Sequence, residues 1–425
     1  MKGKINLKEY VYDYIRDGKK YELKKIIYLL NILGNPQEDF KTIHVTGTNG
    51  KGSTSTYIEN IIHSAGFKVG KFTSPHLVRY NERIRFDLKE INDVDLKYIL
   101  PDLEEAARKT EERFEVKPSF FEMMTAMAFL FFSRKKVDYA VVEVGLGGRL
   151  DATNTVKNSI SVITTIDKDH TGILGSTMTA IAKEKAGIIK NNSVCISGVK
   201  QPHLKNIIRQ RCNETKTRLC FLKEDFKLKN MKIKKYGCDF DYIGEKDIEG
   251  LHINMPGRHQ VDNASLAIRV AEELNIETQK IREGIAKAKF PGRLEFFKKE
   301  PSILFDGAHN RSGIDALYEY MRKNWQNNKV IVVCTILRDK DAKHFYSRIG
   351  KIADKIIITS IDNKRLMDID FQRKVAEEYN QEVLVIEDLK KALDSVIQKQ
   401  KKNELLLITG SLYLIGEVKR TIADK

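Results

Sequence analysis

The run Gly47-Thr48-Asn49-Gly50-Lys51-Gly52-Ser53 has the residue types needed to bind a polyphosphate, and it directly follows the strand-like segment Lys41–Thr46. Its glycines let backbone N–H groups approach phosphate oxygens with no Cβ in the way. The helix expected to follow adds the positive end of its dipole. Lys51 adds a point charge, and Ser53 offers a hydroxyl to Mg²⁺. The run departs from the general pattern G-x-x-x-x-G-K-[ST], because Val45 stands at the first glycine position and Gly52 separates lysine from serine.

Three further polar residues occupy positions where apolar ones are expected. Glu143 lies in Tyr139-Ala140-Val141-Val142-Glu143-Val144-Gly145, a run apolar enough to be a buried strand. An ionised carboxylate there must bind a metal or pair with a cation such as a lysine. Ser74 ends the next strand after the phosphate-loop helix, in Phe72-Thr73-Ser74-Pro75-His76. His170 follows the strand Ser161–Ile166, in Asp167-Lys168-Asp169-His170. All three leave strand ends on the side where a parallel α/β sheet binds ligands. Serine and carboxylate oxygens are ordinary Mg²⁺ ligands. Imidazole suits that ion less, and a satisfied loop histidine is the plainer account of His170.

Lys185 lies in Ile181-Ala182-Lys183-Glu184-Lys185-Ala186-Gly187-Ile188, where helical spacing puts it on one face with Ile181 and Ile188. Lys183 falls nearly opposite. A partly buried lysine loses proton affinity, and a neutral amine can add carbon dioxide to become a carbamate. That would turn a cation into an oxygen ligand for a second Mg²⁺. A lysine snorkelling past an apolar stripe is the alternative. Ser119-Phe120-Phe121-Glu122 also has two accounts. It is a capping box opening the helix that contains Met123–Phe132, and its phenylalanines could stack on a flat aromatic ligand.

The elements that position these residues alternate. Strands are expected at 41–46, 68–72, 138–144, 159–166 and 193–198, with helices near 52–65, 93–113, 120–135 and 177–189. The stretch 219–255 has short alternating segments and is expected to form a small antiparallel appendage. Helical periodicity resumes at 259–274 and 278–288. Phe290-Pro291-Gly292-Arg293 breaks the pattern and is the expected hinge. Beyond it, strands at 302–306, 329–336, 355–361, 382–387 and 404–409, each followed by a helix, predict a second α/β domain.

Composition fits this organisation. A chain of 425 residues has room for two cores, and 41% apolar with 31% charged residues is globular usage. The start Met1–Leu7 is polar and no signal peptide is expected. The longest apolar run, near Met123–Phe132, is about half of what a membrane span requires. Cys195, Cys212, Cys220, Cys238 and Cys334 are scattered, which predicts reduced thiols and a cytoplasmic location. The net charge of +16 suits anionic substrates, but the lysines are spread along the chain without interleaved aromatics. Nucleic acid and membrane are therefore not expected partners, and a monomer is the default.

Taken together, the motifs resemble the folylpolyglutamate synthase and dihydrofolate synthase family of the Mur ligase group. They are Thr46–Ser53, Thr73–Leu77, Asn81–Ile84, Glu143–Asn154, Lys183–Ile188, Pro291–Arg293, Phe305–Asn310 and Thr409–Leu412. Gly52 is itself one of the marks. The resemblance implies an α/β fold: an N-terminal P-loop ATPase domain with a mainly parallel sheet over 1–292, and a smaller Rossmann-like glutamate ligase domain over 293–425. It implies ATP-dependent ligation of L-glutamate to dihydropteroate, to a reduced folyl-glutamate, or to both, with ATP lying between the two domains.

By the same resemblance Thr48, Asn49, Gly50, Lys51, Gly52, Ser53, Asn263, Arg293 and Asp306 are expected to bind ATP. Ser53, Ser74, Glu143 and His170 would hold Mg²⁺, with two ions expected. Lys185 would be carbamylated, and Lys51, Lys185 and His309 would serve the chemistry. Ser119, Phe120, Phe121, Glu122, Leu150, Asp151 and Ala152 would line a pterin or folate pocket. Two other classes compete: a ligase of the same group acting on a peptidoglycan or cyanophycin-type carboxylate, and a non-enzymatic P-loop protein that binds nucleic acid.

Overall fold

A computed structural model describes residues 22–157 and 159–423; the polar start Met1–Leu7 lies outside the described residues. Eight strands form the larger sheet: β1 Lys41–Thr46, β2 Val69–Phe72, β3 Ile84–Phe86, β4 Lys89–Glu90, β5 Tyr139–Glu143, β6 Ser159–Ile163, β7 Val194–Ser197 and β8 Arg218–Phe221. Their order is β4-β3-β2-β5-β1-β6-β7-β8. Strands β2, β5, β1, β6, β7 and β8 run parallel, while β3 and β4 add an antiparallel edge. Central β1 and β5 are buried on both faces, as their apolar runs require.

This order decides where the chemistry gathers. The C-terminal ends of four neighbouring strands, β2, β5, β1 and β6, carry Thr73–Ser74, Glu143, the phosphate loop and Thr164–His170. At about 4.8 Å per strand, the four ends span about 14 Å. Ligands of parallel sheets bind at such ends.

The helix Lys51–Ser64 that follows the phosphate loop is buried from Gly52 to Ile62. The helix Thr278–Lys287 crosses it so closely that a Cβ on Gly284 would lie 2.5 Å from Ile61 Cα. Burial on all sides explains why the helix Lys51–Ser64 shows so little amphipathic pattern. Deep in the same layer, Lys71 of β2 and Arg85 of β3 stand directly opposite each other. Like charges in that position repel. Glu59 of the phosphate-loop helix, fully buried, resolves the conflict: Oε2 lies 2.7 Å from Lys71 Nζ and Oε1 lies 3.4 Å from Arg85 Nε. Lys71 Nζ also donates to Thr56 Oγ1 at 3.0 Å.

The expected elements are present, with differences at the periphery. The stretch from residue 219 does not begin the small appendage, because Arg218–Phe221 pairs in parallel with β7 as the edge of the main sheet. The appendage is a three-stranded sheet of β9 Lys227–Lys234, β10 Gly237–Ile243 and β11 Ile248–Ile253. The hairpin of β3 and β4 and the helices Lys24–Ile32 and Pro202–Glu214 were not expected from the pattern.

The chain divides into two compact units. One comprises the described residues up to Met231 with 240–252 and 262–288; the other comprises 232–239, 253–261 and 289–423. The second unit holds a six-stranded sheet of β12 Glu295–Lys299, β13 Ser302–Asp306, β14 Lys329–Cys334, β15 Lys355–Ile358, β16 Val383–Val385 and β17 Glu404–Thr409. Its order is β12-β13-β17-β14-β15-β16, parallel except for the unexpected edge strand β12. The helix Arg311–Asn324 is typical of its cover: Ile314, Leu317 and Met321 are buried, and Asn310 Oδ1 caps it by accepting from Gly313 N at 3.0 Å.

Removing the shared anion from the charge cluster should be costly. Glu59→Gln leaves a buried and a half-buried cation facing each other and is expected to destabilise the first unit by about 3 kcal/mol, read by denaturant unfolding. An unchanged unfolding midpoint would contradict this account.

Candidate active site

The phosphate loop is shaped by neighbouring hydroxyls. Thr164 Oγ1 and Thr165 Oγ1 donate to Asn49 O at 2.6 and 3.1 Å, and Thr48 N donates to Thr165 O at 2.8 Å. Thr48 Oγ1 donates to Asp167 O at 3.1 Å and accepts from Asp167 N at 3.0 Å. Two glycines are required. Gly50 has φ +88°, and a Cβ there would stand 2.4 Å from Asn263 Oδ1. A Cβ on Gly47 would stand 1.8 Å from Thr164 Oγ1. Asn263, expected to bind ATP, has its carboxamide against the loop itself. Lys51 opens the helix, and its Nζ donates to Gly47 O at 3.0 Å and Thr48 O at 3.3 Å, while Gly52 and Ser53 are buried in the first turn.

Glu143 ends β5 and is almost wholly buried. Thr73 Oγ1 and, at 3.4 Å, Ser74 N donate to its Oε2. The carboxylate is thus held by the loop that carries Ser74, and the field of nearby Lys71 reaches it. His170 is different. Its backbone is left-handed at the start of the helix Thr171–Leu174, its ring is 45% exposed, and Nε2 lies 3.9 Å from Asp169 Oδ1.

Lys185 lies 4% exposed on the helix Met178–Ala186, with Ile181 and Ile188 also buried and Lys183 outside. Burial, and then the charge of Lys51, lower its pKa from 10.5 to about 7, against the opposing pull of Asp169 and Asp151. The structure therefore brings Lys51, Lys185, Asp169 and Asp151 into one electrostatic neighbourhood. Asp169 was not singled out in the sequence. Neither were Thr73, Thr164 and Thr165, whose position just past strand ends was the available signal.

The proposed aromatic pocket residues are also structural. Ser119 Oγ accepts from Glu122 N at 3.3 Å and Glu122 Oε2 accepts from Ser119 N at 2.7 Å, which is the capping box. Neither phenylalanine is exposed: Phe120 lies 5.7 Å from the Tyr80 ring and under Arg83 at 5.1 Å, and Phe121 packs on Phe72 at 5.8 Å. Asp151 caps the turn Ala152–Thr155, with Oδ2 accepting from Leu146 N at 2.8 Å and Oδ1 from Thr153 N at 3.0 Å. Burial raises its pKa. Leu150 is half-buried beside it and Ala152 is buried.

In the second unit, Asp306 is buried at the end of β13, and its oxygens accept from Leu294 N and Ala308 N, both at 2.9 Å. Burial raises its pKa, and nearby Arg293 opposes the rise. His309 Nδ1 is 2.8 Å from Gly307 O, which places a ring proton on Nδ1.

The donor set suits Mg²⁺. A carboxylate and the hydroxyls of Ser53 and Ser74 are hard oxygen ligands, and Mg²⁺ keeps several waters or phosphate oxygens in its shell. Among the described residues no group of three or more His, Cys, Asp or Glu side chains is placed to hold a metal. No helix of the described residues is long and apolar enough to cross a membrane.

A glycine-rich loop at the C-terminal end of a central parallel strand, with a buried carboxylate one strand away, defines a P-loop nucleotide-binding protein. Comparison with known proteins narrows that class. Residues 45–271 match the Mur ligase middle domain and 292–412 match the Mur ligase glutamate ligase domain. The dihydrofolate synthase/folylpolyglutamate synthase of Bacillus subtilis is 34% identical over 423 residues, covering 98% of each chain. The crystal structure of Mycobacterium tuberculosis folylpolyglutamate synthase with ADP and AMPPCP matches with TM-score 0.91 and 28% identity, covering 97% of each chain. The Escherichia coli FolC structure with DHPP and ADP matches with TM-score 0.87 and 27% identity, covering 98% of this chain and 96% of that one. The chain belongs to the folylpolyglutamate synthase and dihydrofolate synthase family of Mur ligases.

The buried lysine makes stability depend on pH with a definite sign. Its folded pKa of about 7 lies below its ordinary 10.5, so between those values the unfolded chain binds more protons. Its contribution to stability therefore rises with pH across that window and is flat below about 7. Lys185→Met is expected to remove this part of the slope, measured by denaturant unfolding from pH 6 to 10. Parallel profiles for the two proteins would sink the assignment.

Proposed function

We propose that this chain adds L-glutamate both to dihydropteroate and to the γ-carboxyl of reduced folyl-glutamates. Membership of the family makes it an ATP-dependent glutamate ligase of folate metabolism. The Bacillus subtilis relative, matched end to end, is named for both activities. We assign residues 1–292 to the ATP-binding ligase domain and 293–425 to the glutamate ligase domain, and take the monomer as the working unit. The observation that carries the chemistry is Lys185, buried beside Lys51 with its pKa drawn down to about 7.

ATP places its phosphates on Thr48–Ser53, where loop N–H groups and the helix terminus meet the oxygens. Asn263 stands against that loop and orients the nucleotide; Arg293 and Asp306 are assigned to ATP by the family resemblance. The substrate carboxylate attacks the γ-phosphorus, ADP leaves, and an acyl phosphate forms. Lys51 offsets the charge gathering on the transferring group. Glutamate's amine then attacks the acyl carbon, inorganic phosphate departs, and an amide remains. His309, with its Nδ1 proton directed at Gly307 O, is assigned to this chemistry by the family resemblance. Ser53, Ser74, Glu143 and His170 would hold Mg²⁺, with two ions expected. When bound, the ion supplies neutralisation of phosphate charge.

Lys185 takes part as a carbamate. A pKa near 7 leaves about half of its amine neutral at neutral pH, enough to add CO₂. Phe120, Phe121, Leu150, Asp151 and Ala152, with the capping residues Ser119 and Glu122, form the pterin-reading surface.

Two outcomes check the chemistry. Lys51→Ala should lower ATP-dependent glutamate incorporation by about 10³-fold or more while the far-UV spectrum is unchanged. Stripping CO₂ from the buffer should lower turnover, and bicarbonate should restore it. A Lys51→Ala protein with near-normal turnover would refute the site, and indifference to CO₂ would refute the carbamate. Dihydropteroate and a reduced folyl-glutamate, each assayed by phosphate release, test the dual specificity.

A further inference from the structure

Strand β1 leads into the phosphate loop, yet one of its faces is spent on a different loop. Thr46 and His44 point to the same side, two residues apart. Thr46 Oγ1 donates to Gly147 O at 2.7 Å, and His44 Nε2 lies 2.9 Å from Thr153 Oγ1. These two contacts hold both ends of the segment 147–153. His44 and Thr153 are fully buried and Asp151 is nearly so.

The hydrogen-bond roles in this chain can be assigned. Asp151 Oδ1 already accepts from Thr153 N, and Thr153 Oγ1 also donates to it. A hydroxyl has one proton, so Thr153 Oγ1 must accept from His44. The proton of the imidazole therefore sits on Nε2, and Nδ1 carries the lone pair. Burial, and then the charge of Lys190, hold the ring well below its ordinary pKa, which keeps it neutral. Nδ1 has no hydrogen-bond partner among the described residues, and neither has buried Ser159 Oγ on the adjoining strand. An orphaned ring nitrogen in the centre of a sheet is costly.

We propose that His44 is a positioning residue for pterin recognition: through Thr153 it fixes the Asp151 carboxylate and the Leu150–Ala152 segment in register with the phosphate loop. The inference rests on assigning Leu150–Ala152 to the pterin-reading surface. His44 does not touch substrate. It makes one rigid strand the common reference for the loop that reads the pterin and the loop that holds ATP.

The test uses the full chain with His44→Leu, His44→Gln and Thr153→Val. A glutamine amide keeps a donor near Nε2, whereas leucine removes it. His44→Leu and Thr153→Val are expected to raise KM for dihydropteroate about tenfold, the effect of losing one hydrogen bond in a chain ending on a carboxylate. KM for ATP should stay within about twofold, and His44→Gln should recover most of the loss. Equal rises in both KM values, no rise at all, or equal damage from Gln and Leu would each overturn the proposal.

The ¹⁵N spectrum of the wild-type imidazole gives a second readout that needs no turnover. A neutral ring protonated at Nε2 is expected, and the Nδ1–H tautomer would break the chain of assignment. If the wild type turns over folyl-glutamate but not dihydropteroate, the dual-specificity proposal fails instead, and the same KM comparison with folyl-glutamate still decides the role of His44.

Discussion

The charge removed from water at the strand ends is the constraint on which the larger unit depends. Lys185, Glu143, Asp151, Lys71, Arg85 and Glu59 are all buried or half-buried within one layer of the sheet and its covering helices. Isolated, each would neutralise or unfold its surroundings. Each instead has a definite compensation. Glu59 lies between two cations, Glu143 accepts from Thr73 and Ser74, and Asp151 accepts from Leu146 and Thr153. Lys185 has Asp169 and Asp151 acting against its burial and the charge of Lys51, and its pKa is drawn to about 7.

Rigidity follows from the same arrangement. The phosphate loop has few side chains able to shape it, and its path is set by Thr164, Thr165 and the close approach of Asn263. The segment after Glu143 is bound on several sides. Arg149 N donates to Glu184 O at 2.8 Å, Asn154 Nδ2 donates to Gly187 O at 3.2 Å, and β1 holds Gly147 and Thr153. The helix carrying Lys185, the segment 147–154 and the strand that leads into the phosphate loop are thus tied to one another through backbone and side-chain hydrogen bonds. Binding sites built on such supports keep their geometry without a loop having to order.

Much of this was legible in the chain. Apolar runs at β1 and β5, the glycine-rich turn and the 3.6-residue spacing around Lys185 each report a local rule, and local rules survive into the fold. The capping box Ser119–Glu122 is present as its spacing requires. Less legible were elements defined by distant partners. Arg218–Phe221 reads like the start of the small sheet, but its register with β7 makes it the edge of the large one. Edge strand β12 and the β3–β4 hairpin are short, and the pattern of so few residues cannot show which strand they will join.

The sequence by itself determined the class: a strand, a glycine-rich turn and a lysine in that order specify phosphate binding, because backbone geometry and charge there depend on adjacent residues only. It also placed Glu143 and Lys185 among apolar neighbours, which is enough to announce an unusual charge. Only the tertiary structure decided what those charges meet. That Lys51 lowers the pKa of Lys185, that Glu59 lies between Lys71 and Arg85, and that His44 serves Asp151 depend on strand order and register. Those contacts join residues up to about a hundred and thirty positions apart, and electrostatic coupling follows distance in space.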